Sequence, residues 1–549
     1  MAQREELLSK LRIRSFDLLI VGGGIVGAGI ARDAAMRGLK VALIEQGDFA
    51  GGASSKTSKL IHGGLRYLER GHWRLVLESL RERQILHAIA PTFVHPISLA
   101  LPIYAQDSRP RWKIGAGLWL YDLLATGRAM GRHRMVSARR ATRFEPALQQ
   151  EGLRGAGLYT DCQMDDARVC LANILQAVSF GAVCCNYTRL VAFLKTDQHV
   201  CGGVAEDLRT GRSMEIQAKV VVNATGPWAD QVRRMSDRYT PKRLAPTKGI
   251  HLILPPLNRE ALFVQARRNG RMLFLLPWNG YTLVGTTESV VSESLESLRA
   301  TGEEVGYLIE EVNRVLPGCH VGERDVVATF AGARPLLASS GSASSASREH
   351  RIEVEQWGMV SVMGGKYTTY RLMAQQAVDL LARLHHWQVD RCLTDQISLL
   401  ETVHPVSLDQ WEAGRHMDPN LLARLLARYG AGAFSILRAI RHEPSLAQPI
   451  CPHHDYLAAE LVHGFREELA CSITDVLARR TRIAWSSCQG LDALSTIVDL
   501  CQRHGHCSAE EVQQQVSEYR RFLADGLAFR SRPQLRQAVE SGASVSDDD

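Results

Sequence analysis

Apolar and polar positions are most regular near the amino terminus. Leu18–Val21 is a short apolar run, Ile25–Met36 repeats apolar and small residues at helical spacing, and Val41–Ile44 is a second apolar run. This order predicts a strand, a helix and a second, parallel strand. Ala28, Gly29 and Ala31 lie on the helix face that would meet a sheet, and Gly38 closes the helix. Arg70–Ala90 predicts an amphipathic helix stopped by Pro91. Asp165 and Asp166 cap a predicted helix that runs to Phe180 and ends at Gly181. Strands are predicted over Lys219–Ala224, Gly249–Leu254, Met272–Leu276 and Tyr281–Gly285. Thr301 and Glu304 have the spacing of a capping box for a helix over Glu303–Leu316. Ser339–Ser347 reads as a serine-rich loop, and Gly358–Met373 as strand, Gly-Gly turn and helix. Beyond about Trp387 the pattern turns helical, with amphipathic stretches at Leu421–Tyr429, Phe434–Ile440, Tyr456–Ala470 and Ala509–Leu523. A domain boundary is therefore expected near 388–405, and Ser541–Asp549 reads as a disordered acidic tail.

Composition narrows the class. Of 549 residues, 45% are apolar and 22% charged, as in globular proteins rather than disordered ones. The net charge of +7 and pI near 8.8 are mildly basic. No clustered basic face with interleaved aromatics is visible, so no nucleic-acid partner is expected. An anionic small substrate or an anionic membrane surface fits the surplus, and so does an ordinary solvated surface. The twelve cysteines begin only at Cys162 and none forms C-x-x-C, which is read as reduced thiols in the cytoplasm. Met1–Phe16 has no apolar signal core, and no run of about 18 apolar residues could span a bilayer. Peripheral attachment stays open. Arg109–Arg134 flanks an apolar, aromatic-bearing centre with Arg109, Arg111, Lys113, Arg128, Arg132 and Arg134, as an interfacial segment on anionic lipid would, or a core helix with basic ends.

The candidate chemistry starts at Gly22, Gly24 and Gly27, a G-x-G-x-x-G run between strand and helix. Gly22 permits the turn, Gly24 allows close approach to a pyrophosphate, and Gly27 allows tight helix–strand packing. The helix amino terminus offers free N–H groups and the positive dipole end to phosphates. Glu45 ends the second strand, where a carboxylate accepts both hydroxyls of an adenosine ribose and repels a 2′-phosphate, against NADP. FAD and NAD share this fingerprint. The Ser/Gly-rich continuation after Gln46, which contains Ser54 and Ser58, fits a bulky flavin better than the further βα unit of an NAD dehydrogenase. Ser54 and Ser55 have no G-x-S-x-G context, so a serine nucleophile is not expected. CQRHGHC (Cys501–Cys507) and the cluster Cys451, His453, His454 match no common zinc module, and no metal is expected.

SKLIHGGLRYLE (Ser58–Glu69), VNATGPW (Val222–Trp228), KGIHLIL (Lys248–Leu254), GTTE (Gly285–Glu288), GARPL (Gly332–Leu336) and GGKYTTYR (Gly364–Arg371) follow the dinucleotide unit in one order. Together they resemble the FAD-dependent glycerol-3-phosphate dehydrogenases of the bacterial aerobic, respiratory type, over residues 15–530. The helical part matches more loosely, through ITDVLARRTR (Ile473–Arg482). The resemblance implies an α/β fold: a glutathione-reductase-type, Rossmann-like FAD domain interleaved with a β-sheet substrate domain over 15–390, an all-α carboxy-terminal domain over 391–535, and an acidic tail over 536–549. It implies oxidation of sn-glycerol 3-phosphate to dihydroxyacetone phosphate by hydride transfer from C2 to FAD, with electrons passed to membrane quinone. The expected location is the inner face of the cytoplasmic membrane, bound peripherally, and a homodimer is compatible.

The resemblance also assigns roles. Arg66, Tyr67, Arg348 and Lys366 would hold the substrate phosphate, and His251 and Arg334 would stand at C2 as the catalytic pair, with the proton carrier left open between them. Gly22, Gly24, Gly27, Glu45, Ser54, Ser58, Thr225, Gly226 and Gly365 would line the cofactor. The stretch before Arg348 departs from the family in being almost all Ser, Ala and Gly. No calcium-binding loop of the D-x-[DN]-x-[DN]-G kind occurs, against a calcium-regulated mitochondrial form. Two other readings stand beside this one: a glycerol-3-phosphate oxidase that reduces oxygen, and a flavin-binding redox sensor without turnover.

Overall fold

The two apolar runs near the amino terminus pair in parallel, Leu18 opposite Val41, and seed the first of two sheets. The computed structural model describes residues 2–125, 130–197, 199–291, 293–338, 349–400, 418–505 and 507–530. Among these, the first sheet has eight strands, and its centre is parallel in the order Val360–Gly364, Ser213–Asn223, Ser15–Val21, Val41–Ile44, Val183–Cys185. These central segments are apolar because both faces are covered. Ile25–Met36 packs against the helices Asp166–Ser179 and Tyr370–Leu384. The small residues foreseen on this helix have a reason: a Cβ on Gly29 would stand 2.8 Å from the Tyr370 ring.

The second sheet has ten strands and is mostly antiparallel. Its strand Thr247–Leu254 pairs with Tyr281–Gly285 on one edge and with Ala328–Arg334 on the other. In this register His251 faces Gly285 on one neighbour and Phe330 on the other, while Arg334 lies opposite Thr247. Side chains alternate between faces along each strand, so Gly249, His251, Phe330, Gly332 and Arg334 share one face. The architecture is the expected one, with mixed sheets and a helical carboxy-terminal part.

Several elements differ from the pattern in detail. The helix foreseen from Arg70 begins at Trp73, because Gly71 at φ +74° ends a separate 3-10 turn over Leu65–Arg70. The strand foreseen from Lys219 starts at Ser213, whose half-exposed first residues pair with Val200–Asp207 at the open side of the sheet. Asp165 is the cap, accepting from the Arg168 amide at 3.1 Å, while Asp166 accepts from the Ala167 amide at 2.9 Å and pairs with Lys59. Thr301 and Glu304 form the full capping box. The helix foreseen over Tyr456–Ala470 is confined to Ala458–Arg466, since Glu468 turns inward to Arg168. Ser339–Ser347, the end of the boundary region and the acidic tail lie outside the described residues.

Helices Pro419–Tyr429, Gly432–His442, Ala458–Arg466, Leu494–His504 and Ala509–Gly526 enclose a separate core that includes Leu425, Ile436, Leu461, Leu477 and Tyr519. Three carboxylates tie this bundle to the loop after Val41–Ile44 and to the start of the helix Asp166–Ser179. Asp48 receives both Arg479 and Arg480, Glu468 receives Arg168 at 2.7 Å, and Asp165 receives Arg482 at 2.8 Å. The two guanidiniums outweigh the desolvation of Asp48 and hold its carboxyl down to about 2. Its folded value lies below the ordinary carboxylate range, so its contribution to stability is complete above about pH 4 and fades as pH falls toward 2. Asp48→Ala takes its carboxylate partner from buried Arg480 and one of two from Arg479, which keeps Asp475, and is expected to cost roughly 3–5 kcal/mol. Thermal unfolding followed at neutral pH and near pH 3 checks this: the variant should melt lower, and the gap between it and the wild type should narrow in acid.

Candidate active site

The strand Ser15–Val21 leaves the sheet through Gly22, whose φ of +111° suits glycine and whose Cβ, if present, would stand 2.7 Å from the Ala224 carbonyl oxygen. A Cβ on Gly27 would meet the Gly22 carbonyl oxygen at 1.9 Å, so helix and strand approach as closely as the sequence spacing foresaw. The first turn of this helix has no side-chain cap on Gly24, and Ser54 takes one of its free amides, accepting from Ile25 N–H at 2.9 Å. Glu45 accepts from the Gly23 and Gly47 amides at 2.7 and 2.8 Å. Burial pushes its carboxyl above the ordinary range, against the pull of these two donors. Each oxygen keeps a lone pair for a further donor.

These groups open onto a cavity of about 810 Å³. Its wall includes Gly22, Gly24, Glu45, Ser54, Ser58, Thr225, Gly226 and Gly365 on the dinucleotide side, and Arg66, Tyr67, His251, Arg334 and Lys366 on the side of the second sheet. Gly27 does not line it and acts from behind, through packing. Arg348 lies outside the described residues. Every other residue assigned from the sequence to cofactor, substrate or C2 lines this one space.

His251 is almost fully buried and stacks on Phe330 at 4.9 Å between ring centres. Its Nε2 is 2.8 Å from the Ser58 hydroxyl, so Ser58 contacts the histidine as well as the cavity. Its Nδ1 is buried and has no hydrogen-bond partner among the described residues. Burial first, then the charges of Arg334 and Lys59, hold the imidazole well below its ordinary pKa, so it is neutral at pH 7. Arg334 is anchored by Thr286 Oγ1 at 2.8 Å and the Thr287 carbonyl at 3.0 Å. Lys366 lies 4.0 Å from the centre of the Tyr67 ring and donates to Ser79 Oγ at 3.1 Å. The arrangement joins an uncharged imidazole, a fixed guanidinium and further cations beside the helix terminus at Gly24.

Residues 17–371 match the family model described as FAD dependent oxidoreductase, and residues 392–512 the C-terminal domain of alpha-glycerophosphate oxidase. A glycerol-3-phosphate dehydrogenase of Synechocystis sp. is 35% identical over 93% of this chain and 96% of its own. The chain belongs to the FAD-dependent glycerol-3-phosphate dehydrogenase family. The human mitochondrial member is 33% identical across the whole chain, which spans 78% of that protein. The solved glycerol-3-phosphate dehydrogenase of Bacillus halodurans, complexed with FAD, superposes with a TM-score of 0.79 at 28% identity, covering 96% of this chain and 99% of that one.

The cofactor of the glycerol-3-phosphate dehydrogenase family is FAD, and the residues present fit it. The cavity is of the size that holds a large cofactor. The helix terminus at Gly24, where an added Cβ would approach Ser54 Oγ at 3.1 Å, leaves backbone open for a pyrophosphate. The orphaned His251 Nδ1 is a buried polar atom of the sort a ligand completes.

Some functional neighbours escaped the motif reading. Lys59, held by Asp166 at 2.6 Å, is a second cation that keeps His251 neutral. Trp485 and Phe522 of the helical part reach the cavity wall. The clearance around His251 and Arg334 is also new: a Cβ on Gly285 would lie 2.2 Å from His251 Cδ2, and one on Gly249 2.3 Å from Arg334 Nη2. Their signal was available, since both glycines sit in the quoted KGIHLIL and GTTE runs. Gly249→Ala should therefore displace the Arg334 guanidinium and lower kcat by about 100-fold. Steady-state kinetics alongside the flavin absorbance of the purified variant checks it: cofactor content should stay at the wild-type level.

Proposed function

We propose that this protein oxidises sn-glycerol 3-phosphate to dihydroxyacetone phosphate and delivers the electrons to membrane quinone while resting on an anionic lipid surface. The observation that carries the reading is the neutral His251 beside Arg334, in the cavity that also contains the dinucleotide cradle, Arg66 and Lys366. Bound FAD supplies the acceptor for a hydride from carbon. Gly22, Gly24, Ser54, Glu45, Thr225, Gly226 and Gly365 would hold it along the crevice. Arg66 and Lys366 bind the substrate phosphate, each charge-assisted contact adding roughly 1.5–3 kcal/mol. His251 takes the C2 hydroxyl proton on its imidazole, which is free to accept because its pKa is depressed. Arg334 stays protonated throughout and stabilises the oxygen as negative charge builds on it. This division gives the proton to His251 and the charge to Arg334.

The lipid-facing element is the helix Arg111–Leu124. It buries Ile114, Leu118 and Tyr121 against the second sheet and exposes Trp112 at 75%, Trp119 at 61% and Leu120 at 37%. Arg111 and Lys113 flank the exposed aromatics, while Glu69 pairs with Arg109 at 2.7 Å and lies 3.9 Å from Lys113, offsetting part of the charge. Aromatics at headgroup depth with neighbouring cations suit an interfacial helix. No helix among the described residues is long and apolar enough to cross a membrane. This surface favours quinone over oxygen as the acceptor, because quinone is dissolved in the bilayer.

Purified protein should be yellow and should bleach without oxygen when glycerol 3-phosphate is added. Reoxidation by a soluble quinone analogue should be far faster than by air, with little peroxide; fast peroxide formation would make the protein an oxidase, and no bleaching would end the substrate assignment. In a separate measurement, replacing Trp112 and Trp119 by Ser should weaken binding to anionic liposomes at least tenfold without changing turnover on the soluble acceptor.

A further inference from the structure

The helical part contains a second group of chemistry-bearing side chains, in which Cys451 and His454, whose spacing alone matched no zinc module, are joined by Cys488. Cys451 and His454 come from the loop ahead of Ala458–Arg466, and Cys488 from the turn between Ile483–Trp485 and Leu494–His504. Their ligand atoms all lie within 4.8 Å of one another. Cys488 Sγ is 3.3 Å from His454 Nε2, and the two sulfurs are close enough for a hydrogen bond between the thiols. We propose that Cys451, His454 and Cys488 form a structural zinc site, with solvent as the fourth ligand.

The distances suit that ion. Zn–S bonds of about 2.3 Å and a Zn–N bond of about 2.0–2.1 Å give tetrahedral edges near 3.5 Å for S–N and near 3.8 Å for S–S. The observed S–N edge is already close to this length, and the remaining edges need to close by about 1.3 Å at most. The backbone is also arranged for thiolates. The Gly490 amide donates to Cys488 Sγ at 3.5 Å, and the His453 amide donates to Cys451 Sγ, so each sulfur receives an N–H from the residue two places on. Such donors stabilise a negative sulfur and orient its lone pairs. A nitrogen–sulfur set with two thiolates selects zinc over magnesium or calcium, which prefer oxygen. Ser486 Oγ, 2.9 Å from the same His454 nitrogen, also donates to the Ile483 carbonyl at 2.7 Å and can give up the ring without loss. Binding releases the two thiol protons and converts Zn²⁺, two thiols and a neutral imidazole into a neutral complex. Asp492, whose negative charge acts on both Cys451 and His454, adds to the attraction for the cation.

The position explains what such an ion would do. The turn that contains Cys488 is bonded to the second sheet through the Ser487 amide on Tyr281 OH at 2.8 Å and through Gln489 on the Val327 carbonyl at 3.2 Å. Just ahead of it, Trp485 meets the Phe330 ring edge-on at 5.7 Å, and Phe330 is the ring on which His251 stacks. A metal joining the two loops would stiffen the wall that the helical part contributes to the cavity. The ion takes no part in the redox chemistry, and its presence can be measured without turnover.

The test uses untagged full-length holoprotein. Elemental analysis should find close to one zinc per chain, and exchange with cobalt should produce the charge-transfer absorption of thiolate-bound Co²⁺. Cys451→Ser with Cys488→Ser should lose the zinc and the cobalt band while keeping the wild-type flavin content. If that variant does not fold, the wild-type zinc content and cobalt spectrum still decide. Zinc far below one per chain with no thiolate band would overturn the site. So would recovery of Cys451 and Cys488 as a disulfide in freshly purified protein, seen by thiol titration and peptide mass.

Discussion

One buried carboxylate, Asp48 between Arg479 and Arg480, holds the cofactor-side loop against the helical part of the chain. The loop that follows Glu45 contains Ser54 and Ser58, and it is pinned again at its far end by Lys59 on Asp166. A Ser/Gly-rich segment would otherwise have many conformations, and ordering it costs conformational entropy. Two desolvated ion pairs supply the restraint, because a charge withdrawn from water without its partner is far more costly than the paired state. The helical part is thus a clamp on the crevice as well as a separate core.

The same logic governs His251 and Arg334. Arg334 and Lys59 are cations near a buried imidazole, and together with burial they keep His251 uncharged. Each cation is fixed by something other than the histidine: Arg334 by Thr286 and the Thr287 carbonyl, Lys59 by Asp166. A base is useful only if it is unprotonated before substrate arrives, and fixed positive charge ensures that more reliably than solvent does. Steric clearance completes the arrangement. Gly249 and Gly285 lie on the same sheet face as the two side chains, and any larger residue there would occupy their space.

Much of this was legible in the chain. The run Leu18–Glu45 shows a strand, a helix and a strand by periodicity, and its glycine spacing states the turn and the tight packing, because both are local consequences of backbone geometry. The capping box at Thr301 and Glu304 is equally local. The motifs around His251, Arg334 and Lys366 were readable as a set, and they do converge on one cavity. Less visible were the ends of elements where a distant partner intervenes, as with Glu468 drawn inward by Arg168, and the onset of the helix at Trp73 after Gly71.

What the amino-acid order determined by itself was therefore the set of local forms: strands, caps, the glycine turn at Gly22–Gly27, and the identity of the chemically able side chains. What only the tertiary structure decided was which of them meet. Cys488 lies 34 positions beyond His454 and yet its sulfur touches the ring. Arg480 reaches Asp48 across 432 positions. Such contacts are made by packing two sheets and a helical bundle around shared cores, and no spacing rule along the chain encodes them, because loop closure over long separations is nearly indifferent to which residues are brought together.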